Sequence, residues 1–261
     1  MKTVRELIEA YLEKEDKTIV GKILELLKTE DGLFAIVARA TGNFYMGAEN
    51  EKPAAYLFTG RELAEEYVKG LKWSGLEAKS IEIRPEQRIA FFSDLYRSGF
   101  EAVVLDKGEG SLTMSLFSII EKPEDEGGQV MNPTLMRAAA QFYQELARKK
   151  AIPPMQDLMC AELHKARFLA AVENMRDLNY ASVTDPRGKK FIPVFTDWVE
   201  FGKFDKKRKY QGVVLRFRDL KKLLRRADGV VVNPLGFGLR LDMEKYENIE
   251  KQYGTALKVV K

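Results

Sequence analysis

The stretch Phe191-Ile192-Pro193-Val194-Phe195-Thr196-Asp197 reads as a buried strand running into a helix cap, and its core has an earlier double in Ala55-Tyr56-Leu57-Phe58-Thr59. Working outward, Lys79-Ser80-Ile81-Glu82-Ile83-Arg84 resembles Gln211-Gly212-Val213-Val214-Leu215-Arg216, with arginine closing both. Phe92-Ser93-Asp94-Leu95 matches Phe217-Arg218-Asp219-Leu220, and Gly99 to Asp106 matches Ala227 to Asn233. The spacing between equivalent residues shrinks from 137 (Phe58, Phe195) to 132 (Arg84, Arg216) to 127 (Val103, Val230). Such a drift is expected when loops vary and core elements do not.

The repeat predicts an α/β chain of two tandem, diverged modules, each a mixed sheet of about five strands flanked by helices. Residues 1–120 form the first and 131–261 the second. The acidic stretch Glu121-Lys122-Pro123-Glu124-Asp125-Glu126-Gly127-Gly128 opens a linker over 121–130, because it has no apolar residue to bury. Helical periodicity precedes each module: Val4, Leu7, Ile8, Tyr11 and Leu12, then Val20, Ile23, Leu24 and Leu27, and in the second copy Leu135, Ala138, Ala139, Phe142 and Leu146. A longer helix is expected over 155–175 behind Pro153-Pro154, with apolar residues on several faces. Hairpins are expected between 34–38 and 54–58, and between 180–183 and 191–195 across the Asp185-Pro186-Arg187-Gly188 turn. Strands at 212–216 and 229–233, separated by helices, complete a β-α-β-α-β run with parallel crossovers. A last strand at 239–241 pairs antiparallel beside them.

Composition bounds the chemistry. At 45% hydrophobic and 31% charged residues, the chain has a folded protein's composition. Glu6, Glu9 and Glu13 interrupt the first apolar residues, so no secretory pattern is read there, and runs such as 33–38 are too short to span a bilayer. The expectation is a cytoplasmic protein without membrane association. Cys160 and His164 are the only cysteine and histidine, which excludes a Cys/His tetrahedral zinc site by count. No metal, cofactor or catalytic group is assigned. They lie four residues apart on one helix face, but a helix interior is a poor place for a nucleophile, and a packed pair is the commoner arrangement. Core packing is likewise the default for Trp198 and Phe201, one helical turn apart.

Charge is distributed unevenly. Residues 1–128 hold 17 basic and 24 acidic residues (net −7), and 129–261 hold 26 and 15 (net +11). Such halves attract one another, or the basic half meets an anionic partner. Ligands of open α/β sheets favour the crevice beyond the carboxyl ends of parallel strands. In the second module that edge carries Thr196, Asp197, Arg216, Arg218 and Asn233, a set able to hold a small carboxylate or phosphate. The same residues equally well cap helices and end strands. Thr59, Arg84 and Asp106 hold the matching places in the first module. Between Lys203 and Tyr210, the cations Lys203, Lys206, Lys207, Arg208 and Lys209 with Phe204 and Tyr210 could grip phosphates and stack on a base. A solvated loop is the commoner use of such a run, and Asp205 opposes a dedicated basic arm.

The residues Phe191 to Asp197, Phe217-Arg218-Asp219-Leu220 and Val230-Val231-Val232-Asn233-Pro234 resemble the SseB N-terminal domain family (enhanced serine sensitivity protein B). The resemblance covers about 180–242, with a weaker copy over about 34–117 in which Asn-Pro has become Asp106-Lys107. It implies a cytoplasmic bacterial α/β domain and transfers no catalytic residue. The function expected from all of this is a non-catalytic binding or adaptor protein whose partner is another protein or a second copy. The alternatives are a small-anion or metabolite sensor or enzyme near Arg216 and, behind both, a nucleic-acid binder using the basic second module.

Overall fold

A computed structural model describes residues 2–108, 110–122, 129–150 and 152–254. Most of the expected linker, residues 123–128, lies outside the described residues. The chain forms two compact units, Met1–Glu124 with Gln144–Lys150, and Asp125–Tyr143 with Ala151–Lys261.

The first unit runs α1 (Val4–Lys14), α2 (Lys17–Thr29), β1 (Leu33–Ala38), β2 (Asn43–Phe44), β3 (Met46–Glu49), β4 (Lys52–Phe58), α3 (Arg61–Trp73), β5 (Ala78–Ile83), α4 (Arg88–Arg97), β6 (Ala102–Leu105) and β7 (Leu112–Ser115). Its sheet has the order β5-β1-β4-β6-β7, with β2 paired antiparallel to β1 and β3 antiparallel to β4. The elements that follow are α5 (Pro133–Ala147), α6 (Pro153–Lys165), β8 (Arg167–Val172), β9 (Val183–Thr184), β10 (Lys190–Phe195), α7 (Trp198–Phe204), β11 (Gln211–Arg216), α8 (Leu220–Leu224), β12 (Gly229–Val232), β13 (Leu239–Leu241) and α9 (Met243–Tyr253). The second sheet has the order β11-β8-β10-β12-β13, with β9 paired antiparallel to β10.

The two orders are the same path. In each, the third and fourth strands are parallel and every other pairing along the path is antiparallel. Register fixes the equivalence residue by residue. Leu57 faces Leu105 as Val194 faces Val232, and Phe34 sits between Phe58 and Glu82 as Leu169 sits between Phe195 and Val214.

Three expectations are corrected. The helix expected over 155–175 stops at Lys165, and Arg167-Phe168-Leu169-Ala170-Ala171-Val172 is β8, an inner strand second in the sheet order and the true counterpart of β1. Phe168 and Ala170 pack with helices α5, α6 and α9, while Leu169 and Ala171 pack with Phe195 and Phe201 on the other face. A strand covered on both faces loses the alternation that identifies strands, so its apolar run imitates a buried helix. Consequently β11 does not follow β10 in a parallel series. It lies antiparallel to β8 at the sheet edge, and the parallel crossover runs from β10 to β12. Last, Asp219 is not the counterpart of Asp94. Its side chain accepts the Arg216 N–H, as Gln87 accepts that of Arg84, so the two caps align with each other.

One buried cation anchors the first unit. Arg88 is almost fully enclosed and donates to the carbonyls of Ile83, Leu27 and Glu30 at 2.7, 2.8 and 2.7 Å. It thereby ties the C-terminus of α2 to the end of β5. Burial pulls its guanidinium below the usual arginine range, against the pull of Asp31, Glu30 and Glu82.

Candidate functional site

Because β10 and β12 are parallel neighbours, Thr196 and Asn233 emerge side by side at their carboxyl ends. The Thr196 N–H donates to Asn233 Oδ1 at 3.0 Å, and Asn233 Nδ2 donates to Thr196 Oγ1 at 2.8 Å. The hydroxyl donates to Asp197 Oδ2 at 2.8 Å, and Asp197 Oδ1 accepts the N–H groups of Val199 and Glu200, capping α7. All three side chains are buried. Asn233 adopts φ 48°, a left-handed conformation that asparagine tolerates well. Asn132 closes the cluster from below, bonding the carbonyls of Arg167 and Thr196 at 2.7 and 2.6 Å.

The first module repeats this latch with its charge relocated. The Thr59 N–H and hydroxyl both donate to Asp106, at 2.8 and 2.7 Å, and Asp106 sits at φ 49°. Gly60 replaces Asp197, so each latch contains one carboxylate. Thr196, Asp197 and Asn233 therefore meet as the sequence placed them, inside the fold and bonded to one another. Arg216 and Arg218 are exposed and do not join them.

The basic run divides in a similar way. Lys203 pairs with Glu200 at 2.7 Å and Lys209 with Glu173, while Lys206, Lys207 and Arg208 are exposed. Buried Asp205 accepts the N–H groups of Lys209 and Tyr210 and so shapes the loop. Phe204 and Tyr210 are half-buried and pack against the core cluster containing Phe195, which gives both rings a structural use. Cys160 packs beside the other cluster, and burial pushes its thiol up, opposite to what a nucleophile needs. His164 Nε2 lies 3.2 Å from Glu250 and its ring against Phe217.

Two features add to the strand-edge positions read from the sequence. The first is a cavity of about 710 Å³ at the carboxyl ends of β4 and β6, in the first module. Phe58, Leu63, Tyr67 and Leu71 supply its apolar lining, and Arg5 and Lys107 bring positive charge beside Glu66 and Asp106. Lys107 also pairs with Glu49 over the Tyr56 ring. At the equivalent positions of the second module Phe204 replaces Tyr67 and packs on Phe195, and Pro234-Leu235 replaces Lys107-Gly108.

The second feature is an exchange on the face of each sheet crossed by the helix after its central strand. In the first module, exposed Arg61 and Glu82 pair at 3.6 Å beside exposed Glu62. The equivalent residues are Trp198, Val214 and Val199, and they remain 47%, 45% and 45% exposed. Of the pair expected in the core, only Phe201 is buried. The Trp198 ring instead lies over Gly212, where a Cβ would come within 2.5 Å of it. The repeat alignment already contained this exchange. The sequence does not mark it as a surface feature, because exposure cannot be read from residue type.

The family comparison concerns the second module. Residues 135–246 match the model of the SseB protein N-terminal domain. The SseB match begins within α5 and includes β8, so it extends beyond the 180–242 motifs that first suggested it. No curated protein sequence matches the chain. Two solved structures are similar over most of its length. Tic22 from Plasmodium falciparum is 14% identical, covering 90% of this chain and 98% of that one at a TM-score of 0.21. Anabaena Tic22 (protein transport) is 12% identical, covering 88% and 96% at 0.22. Superpositions this poor establish neither fold nor role. No helix among the described residues is long and apolar enough to cross a membrane.

Proposed function

We propose that the chain is a non-catalytic, cytoplasmic adaptor that binds another protein through its SseB-like second module. The observation that carries this reading is the replacement of Arg61, Glu62 and Glu82 by Trp198, Val199 and Val214 at exposed positions of one fold. Single exposed apolar residues are ordinary, but three at positions where the sister module is charged argue for a covered surface. The groups that chemistry would need support it as well: Thr196, Asp197 and Asn233 bond one another, and Cys160 is packed. A photo-crosslinking residue placed at 214, and at 82 as the control, tests the reading in cells. A discrete adduct is expected at 214 alone, lost on adding Trp198→Arg. Equal labelling at both positions, or none at 214, defeats it.

A small-molecule site is a second reading, favoured by the cavity in the first module rather than by Arg216. Its volume suits a metabolite, and its position is the one that open sheets use. Small carboxylates and phosphorylated metabolites screened by thermal shift should give a hit that Lys107→Ala abolishes. A flat screen ends this reading.

A further inference from the structure

Resting on the protein-binding reading, we infer that β11 receives an extended polypeptide segment as an added strand, with apolar residues at alternate positions and acidic residues at both ends. Among the described residues β11 pairs with β8 alone, so its outer edge presents unpaired backbone groups. Natural edge strands are normally blunted by charge, and the sister edge β5 follows that rule with Lys79 and Glu82, the latter paired with Arg61. β11 departs from it in its middle, Gly212-Val213-Val214-Leu215. Gly212 and Val214 share the face crossed by α7. The glycine allows the Trp198 indole to lie directly over the strand, leaving an apolar shelf beside the open edge.

The ends of the strand specify the partner's charge. Lys206, Lys207 and Arg208 precede β11 and Arg216 closes it, all exposed and without ion pairs among the described residues. Arg216 also lies on the Val214 face, two residues further on. A helix laid on this shelf would leave the row of backbone groups unpaired, whereas a strand satisfies it. The chain's own acidic stretch at 121–126 has no apolar residue to offer, so a foreign segment fits better.

The test uses the full chain and labelled peptides about nine residues long, with Val and Ile alternating with Thr between glutamate pairs. Fluorescence anisotropy should show binding that weakens as salt rises. Replacing the glutamates by lysines, or a central threonine by proline, should weaken it at least tenfold. Trp198→Arg with Val214→Glu, which installs the pair the first module already carries, should do the same without lowering the melting temperature. No binding of the glutamate peptide overturns the inference. Equal binding of the proline peptide overturns strand addition but leaves a crosslink at 214, and hence the adaptor reading, intact. Light scattering that shows a wild-type dimer dissociated by the double substitution makes a second copy the occupant, which also overturns it. Loss of the crosslink with peptide binding preserved defeats the adaptor reading and retains the added strand.

Discussion

Thr196 and Thr59 occupy one position in two modules, yet their hydroxyl protons point to carboxylates on opposite sides. In the first module the acceptor is Asp106; in the second it is Asp197, and the residue equivalent to Asp106 is the neutral Asn233. A second carboxylate in the buried latch would face the first across a single hydroxyl. Asn233→Asp should therefore destabilise the chain by about 1–3 kcal/mol at neutral pH. The new carboxyl would hold its proton to higher pH in the fold than in the unfolded chain, so the loss should shrink as pH falls. Adding Asp197→Asn leaves one carboxylate and reverses the hydrogen-bond chain. Recovery in urea-unfolding midpoints of that double variant checks the argument, and additive losses refute it. The tyrosines give a second residue-scale expectation. Burial, then Tyr45, pushes Tyr56 up to about 12; burial, then Cys160, pushes Tyr143 to about 12; Tyr67 is raised as well. The fold thus favours the neutral phenol. Its contribution is intact below the unfolded value of about 10 and is lost as pH rises from there through about 12. Ultraviolet titration should show a late phenolate phase near pH 12 that coincides with unfolding.

At the scale of elements, the modules exchange residues at matched positions, and what fits at one position depends on its neighbour. Ala54 faces Ala102 across the first parallel pair, and Phe191 faces Gly229 across the second. A Cβ at Gly229 would lie 2.7 Å from both the Leu241 carbonyl and the Phe191 ring. Gly229→Ala should therefore cost about 1–3 kcal/mol, although alanine is native at the equivalent position 102. A melting temperature matching wild type would refute this. The matched apolar blocks were readable in the sequence because central strands retain their character. β8 was not, because Ala170 and Ala171 lie between two covered faces and carry neither strand alternation nor a β-branched signature.

Across the whole molecule, each unit has its own sheet and core, so calorimetry should resolve two unfolding transitions. The first unit includes residues 144–150 as well as the N-terminal half. There the Gln144 side chain accepts the Met46 N–H and donates to the Met46 carbonyl, both at 2.9 Å and buried. Gln144→Ala leaves that peptide edge unpaired and should lower the first unit's transition by about 1–3 kcal/mol of stability, leaving the other in place. An equal shift of both transitions would contradict the assignment.

The repeat and the residues at the strand ends were determined by the sequence itself, because covered strands and their caps tolerate few residue types. Tertiary structure alone decided that β8 is a strand, that Thr196, Asp197 and Asn233 face one another rather than a crevice, and that Trp198, Val199 and Val214 face outward. Each of these depends on what lies across the sheet, and distant neighbours leave no periodic trace in the chain.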